Sequence, residues 1–109
     1  MKSPLTPDAA DLIARRFLAL SDPTRLRIID LLRDRGEASV RDLTAALGTS
    51  QQNVSKHLAT LHGEGFVSRR KQGTSSIYAI ADPAVLDLCE QVCGGIEAQL
   101  GELERTLRA

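Results

Sequence analysis

Tryptophan is absent from the 109 residues, and one tyrosine and two phenylalanines supply all the aromatic surface. Gripping single-stranded nucleic acid by stacking bases on rings is poorly served by such a chain. Two cysteines are too few for a disulfide framework. No apolar run approaches the ~20 residues of a membrane-spanning helix, and no signal-peptide pattern precedes the first apolar segment, so the chain is expected in the cytoplasm. Nor is there a glycine-rich phosphate loop, a nucleophile beside a base, or a metal-ligand cluster of adequate size. An enzyme would have little to work with, and none is expected.

Net charge is missing too, because 14 basic and 14 acidic side chains cancel. Their distribution is uneven. Residues 1–38 carry seven positive and six negative charges, residues 39–75 five and two, and residues 76–109 two and six. Positive charge therefore collects in the middle of the chain, and the acidic excess lies towards its end. A chain of this length forms one small domain, residues 1–109, and a domain so small leaves much surface exposed unless it pairs with another copy.

The most informative stretch runs from Ser39 to Gly65 and reads as two short helices joined by a tight turn. Val40, Leu43 and Leu47 recur at helical spacing, and Gly48 then supplies the left-handed conformation a helix end often needs. Thr49, with Gln52 three residues on, has the pattern of a capping box opening the second helix. On that helix Val54, Leu58 and Leu61 fall on one narrow stripe, the expected buried face. The opposite face centres on Gln52, Lys56 and Ala59, flanked by Asn53 and Ser55, with Gln51 and His57 on its shoulders. Amides and hydroxyls suit base edges in a DNA groove, lysine suits guanine acceptors or phosphate, and a small alanine permits close approach. A plain helical hairpin with an uncharged polar face is the alternative.

Phe66, Val67 and Ser68 then begin a β-prone run, Arg69 to Thr74 form a basic turn, and Ser75 to Ile80 return as a second strand. A helix-turn-helix followed at once by a basic hairpin is the winged-helix arrangement, in which the second helix enters the major groove and the wing lies along the backbone. The expected fold is mainly α with a β-hairpin wing, five helices in the order α-α-α-α-β-β-α. Residues Ser21 to Ile80 resemble the ArsR/SmtB family of winged-helix transcription regulators, through "ALSDPTRLRIIDLL", "VSKHLATLHGEGFVSRRKQG" and "YAI" in matching order and spacing.

Ahead of that motif, Met1 to Thr6 reads as a mobile lead. Pro7 to Leu20 reads as a helix with Leu12, Ile13, Phe17 and Leu20 on its apolar face. Asp22 and Pro23 restart the chain as cap and first helical residue of a second helix reaching about Asp34, with Leu26, Ile28, Ile29 and Leu32 buried. Arg25 and Arg27 near its start could meet phosphate or pair with acids. Gly36 ends it, and Ser39 with Asp42 opens the next helix. Asp82 and Pro83 repeat the restart, and residues 83–107 read as one long helix whose Val85, Cys89, Val92, Ile96, Leu100, Leu103 and Leu107 recur every three or four residues, with Leu86 and Cys93 widening the seam. That stripe is too long for this core to bury. The resemblance implies that the first and last helices, residues 7–20 and 83–107, form a homodimer interface, and two reading helices about one DNA turn apart would suit a pseudo-palindromic operator in double-stranded DNA.

The resemblance also implies an effector. Family members commonly release DNA when a metal, metalloid or thiol oxidant reaches a sensor site. One such site uses cysteines in the third helix, but the matching run here is Glu37, Ala38, Ser39, Val40, Arg41, Asp42, Leu43, without either. Another begins with an acid after the wing, matched by Asp82, but its histidine positions fall on Ala84, Gly95 and Ala98, and one carboxylate cannot hold zinc. Cys89 and Cys93 remain, four residues apart on one helix. They could share a soft metal or metalloid ion, act as redox sensors, or pack as small hydrophobes.

The leading expectation is thus a homodimeric, sequence-specific DNA-binding regulator, most often a repressor in this family. Gln51, Gln52, Asn53, Ser55 and Lys56 would read bases, and His57, Arg69, Arg70, Lys71 and Thr74 would hold the backbone. The alternatives are a regulator without a metal or redox sensor, or a winged-helix module that binds protein instead.

Overall fold

The computed structural model describes residues 3–108; Met1 and Lys2 of the expected lead lie outside them. The elements in chain order are α1 (Pro7–Leu20), α2 (Pro23–Arg35), β1 (Glu37–Ser39), α3 (Val40–Leu47), α4 (Gln51–Gly63), β2 (Val67–Gln72), β3 (Ser75–Ile80) and α5 (Ala84–Arg108). Each helix start has a local cause. Thr6 Oγ1 accepts from the Ala9 N–H, and Asp22 Oδ1 accepts from the N–H groups of Thr24 and Arg25 ahead of Pro23 in the first turn. Ser39 and Asp42 form a reciprocal capping box on α3. Gly48 closes α3 at φ +68°, a conformation that costs residues with a Cβ.

The expected architecture holds with three corrections. A short strand, β1, lies between α2 and α3 and pairs antiparallel with β3, making a three-stranded sheet in the order β1-β3-β2. The basic segment is strand rather than turn: Arg69 to Gln72 belong to β2, and only Gly73, at φ +64°, and Thr74 form the reversal. The cap of α4 is Ser50, whose hydroxyl accepts from the Asn53 N–H at 3.1 Å; Thr49 Oγ1 instead accepts from the Asn53 side-chain amide. With Gly48 ending α3, one extended residue must separate turn from helix, and the second hydroxyl takes the capping position.

The core gathers Ile28, Ile29 and Leu32 of α2, Leu43 of α3, and Val54, Leu58 and Leu61 of α4 against Phe66, Val67, Tyr78 and Val85. Leu26, expected inside, is 42% exposed because it sits on the side of α2 that faces α5 across an open cleft. Arg16 attaches α1, its guanidinium 4.7 Å from the Phe66 ring centroid and 3.3 Å from Asp82 Oδ2. Beyond Val85, α5 leaves the core: Val92, Ile96, Leu100, Leu103 and Leu107 are all more than half exposed, as are Leu12 and Phe17 of α1. Among the described residues no helix is long and apolar enough to cross a membrane.

Because Leu58 is fully buried at the centre of this core, Leu58→Ala is expected to cost about 2–5 kcal/mol of unfolding free energy. Urea denaturation checks this, and a loss well under 1 kcal/mol would contradict the packing described.

Candidate nucleic-acid interface

With Val54, Leu58 and Leu61 turned inward, α4 presents Gln51, Gln52, Ser55, Lys56 and Ala59 outward, all of them exposed. Gln51, Ser55 and Ala59 form one wall of a groove, completed by Arg41 of α3 and by Arg69 and Thr74 of the hairpin. One amide, the hydroxyls of Ser55 and Thr74 and two guanidinium groups thus converge on a concave polar surface. Asn53 is placed differently, half-buried and held by its side-chain bond to Thr49. Gln52 and Lys56 stand beside the groove rather than in its wall.

The wing divides its cations by strand parity. The register Arg69↔Tyr78, Arg70↔Ile77 and Lys71↔Ser76 puts Arg69 and Lys71 on one face of the sheet and Arg70 on the other. Arg69 donates to Ser76 Oγ at 3.2 Å. Arg70 reaches across β3 to both carboxylate oxygens of Glu37 on β1, at 2.9 and 3.0 Å, and to Gln72 at 2.8 Å. Its charge is therefore engaged within the sheet, whereas Arg41, Lys56, Arg69 and Lys71 have no ion-pair partner among the described residues.

His57 also departs from the expected arrangement. It lies on the side of α4 away from the wing, its side chain only 13% exposed. Its Nδ1 is 3.1 Å from Arg25 Nη1 and 3.9 Å from Asp22 Oδ1. Arg25 further donates through Nε to the Ala19 carbonyl at 2.6 Å and through Nη2 to the Leu18 carbonyl at 3.3 Å. The Arg25 backbone N–H, aided by the Thr24 N–H and the Arg25 guanidinium, holds the Asp22 carboxyl below the ordinary carboxylate range against the opposing effect of burial. Arg41 escaped sequence reasoning, although its place on the first turn of α3 was a signal; Arg25 was noted as a cation near the start of its helix, but not its partners, which are 6, 7 and 32 residues away.

Cys89 is half-buried and Cys93 exposed, and both line the apolar cleft between α2 and α5. Burial pushes the Cys89 thiol up. The charge of Glu97 and a contact from Cys93 Sγ to Glu97 Oε1 at 3.6 Å do the same to Cys93, with Glu90 adding to it. Both effects disfavour the thiolate that ligates metal or attacks oxidants. Among the described residues no three His, Cys, Asp or Glu side chains gather as metal ligands. Asp82 is occupied as well, one oxygen accepting from the Ala84 N–H and the other paired with Arg16.

Comparison with known proteins agrees with this geometry. Residues 22–69 match the family model described as bacterial regulatory protein, arsR family. The chain is 42% identical over 78 residues to a probable mercury resistance operon repressor of Streptomyces lividans, covering 72% of this chain and 62% of that one. It is 37% identical over 90 residues to a transcriptional repressor SmtB homolog of Synechocystis, covering 83% and 67%. The fold superposes with a TM-score of 0.73, at 33% identity and covering 89% of this chain and 91% of the other, on a homodimeric winged helix-turn-helix DNA-binding domain of Mycobacterium bovis, a possible ArsR-family regulator. That family consists of transcriptional regulators rather than enzymes, and with the winged helix-turn-helix, its groove and its matching segments in place, this chain belongs to the arsR family of bacterial regulatory proteins.

Proposed function

We propose that the chain is a homodimeric repressor that binds a pseudo-palindromic DNA site and works in the cytoplasm. The observation that carries this reading is the single groove in which Gln51 and Ser55 of α4 face Arg41 and Arg69. Gln51, Gln52, Ser55 and Lys56 read base edges in the major groove. Arg41, Arg69, Lys71 and Thr74 hold phosphates, and Arg70 contributes mainly by bracing the sheet through Glu37. Asn53 acts from within the turn that presents α4.

Dimerisation is supported by the exposed apolar residues of α1 and α5, which none of the described residues covers. The M. bovis neighbour is described as homodimeric. Two half-sites read together give an affinity that one short helix does not reach.

Relatives named as mercury and arsenical repressors favour a soft metal or metalloid as the effector. Among the described residues the side chains do not complete such a site within one chain. Cys89 and Cys93 offer two sulfurs, and their surroundings disfavour the thiolate form. The second reading, that these cysteines pack in the seam and release is triggered otherwise, is favoured by the same observation.

Four measurements test these points. By fluorescence anisotropy on the upstream DNA of its own gene, Lys71→Ala is expected to weaken binding to operator and random duplex alike and to reduce the salt slope by about one. Gln52→Ala should cost about 1–3 kcal/mol on the operator and little on random DNA; equal losses on both would contradict its role. Sedimentation at micromolar concentration should show a dimer, and a monomer there would remove the seam argument. Glu97→Gln should lower the Cys93 thiol and speed its alkylation by iodoacetamide at pH about 8 without altering Cys89, whereas an unchanged rate would mean that Glu97 does not control that thiol.

A further inference from the structure

The reading helix meets the rest of the domain in two ways. Its apolar stripe enters the core, which is attractive in every direction that keeps the stripe covered. Directional constraint comes from polar contacts on the flank opposite the wing. There Arg25 joins three elements: its Nε and Nη2 donate to the Ala19 and Leu18 carbonyls at the end of α1, its own chain begins α2 under the Asp22 cap, and its Nη1 meets His57 of α4. Two turns further along α4, Glu64 takes Arg15 of α1 at 3.1 Å. The helix that reads is thus pinned at two points to a helix that carries uncovered apolar residues.

The chemistry of the Arg25–His57 contact is one-sided. A guanidinium has only donors, so Nδ1 of His57 must accept, which requires a neutral imidazole with its proton on Nε2. The carbonyls that hold the other side of the guanidinium belong to the last turn of α1, where the helix dipole is negative; the Leu18 carbonyl also accepts the Ser21 N–H that closes the helix. All three Arg25 nitrogens are engaged inside the domain, leaving this cation directed at its own chain rather than at phosphate.

We infer that Arg25 and His57 are positioning residues for DNA reading: Arg25, anchored on the end of α1, sets the orientation of α4 through neutral His57, so that the reading face keeps its angle to the dimer seam. The inference rests on the DNA-binding reading above and replaces the assignment of His57 to the DNA backbone. The charged groups facing His57 are Arg25 and Asp22 of α2. Arg15 and Glu64 on the same flank neutralise one another, and Lys56 points outward.

The test uses the full chain and measures affinity for operator and random duplex across salt, with circular dichroism to confirm folding at the assay temperature. His57→Ala is expected to lose about tenfold or more on the operator while leaving random-DNA affinity and the salt slope unchanged. His57→Asn, whose Oδ1 can stand where Nδ1 accepts, should recover most of the loss. Arg25→Lys, a point donor unable to span the carbonyls and the imidazole together, should behave like His57→Ala, and the double variant should be no worse than either single one. A phosphate contact predicts instead weaker binding to both duplexes and a reduced salt slope in His57→Ala. That result, or wild-type affinity in Arg25→Lys and His57→Ala, overturns the positioning role. Failure of the unaltered chain to prefer its operator overturns the DNA-binding reading itself.

Discussion

A helix of thirteen residues has only one face to bury, and in α4 that face is set by Val54, Leu58 and Leu61, each without solvent contact. Everything the helix can offer a partner follows from that burial. Gln51, Ser55 and Ala59 are thrown towards the hairpin, Gln52 and Lys56 outward, and His57 back towards α1 and α2. Rotating α4 by one residue's worth of arc would bring an amide into the core at a cost of several kcal/mol and expose a leucine. The polar groups on its flanks refine an orientation that the hydrophobic effect has already chosen.

Helix boundaries were legible because they are written locally. Asp22 before Pro23, Ser39 before Asp42, and Gly48 after Leu47 each act within three or four residues. What was not legible depended on partners far along the chain. Glu37, Ala38 and Ser39 carry no strand periodicity, and they become β1 only because Ala79, Tyr78 and Ile77 lie alongside. Arg69, Arg70 and Lys71 look equivalent as a basic run. Strand pairing separates them, giving Arg70 to Glu37 and leaving its neighbours on the groove side. Arg25 and His57 were visible as residues but not as a pair, since 32 positions separate them. Of the residues expected to read bases, Gln51, Gln52, Ser55 and Lys56 are exposed on α4, whereas Asn53 is half-buried and bonded to Thr49.

The two ends of the molecule solve opposite problems. The middle third concentrates positive charge on a concave polar surface, while α5 carries apolar residues into solvent beside an acidic excess. A domain of this size cannot cover such a helix from its own sequence. The cysteines belong to that second region, close to Leu26, Ile29 and Val92 rather than to the groove. Any signal received there has to cross the domain to affect DNA, and the elements that lie between are α1 and α2, with Arg25 at their junction.

The short strand β1 has a mechanical meaning. Ser39 is at once its last residue and the cap of α3, and β1 is stitched to β3, the strand that also pairs with the basic strand of the wing. Hairpin and helix-turn-helix therefore share one stiff frame, further riveted by Arg70 to Glu37, so the wing cannot flap while the reading helix stays still. In the dimer proposed above, letting go of DNA would then be a matter of calipers rather than of fingers, each jaw keeping its shape while the gap between the two opens.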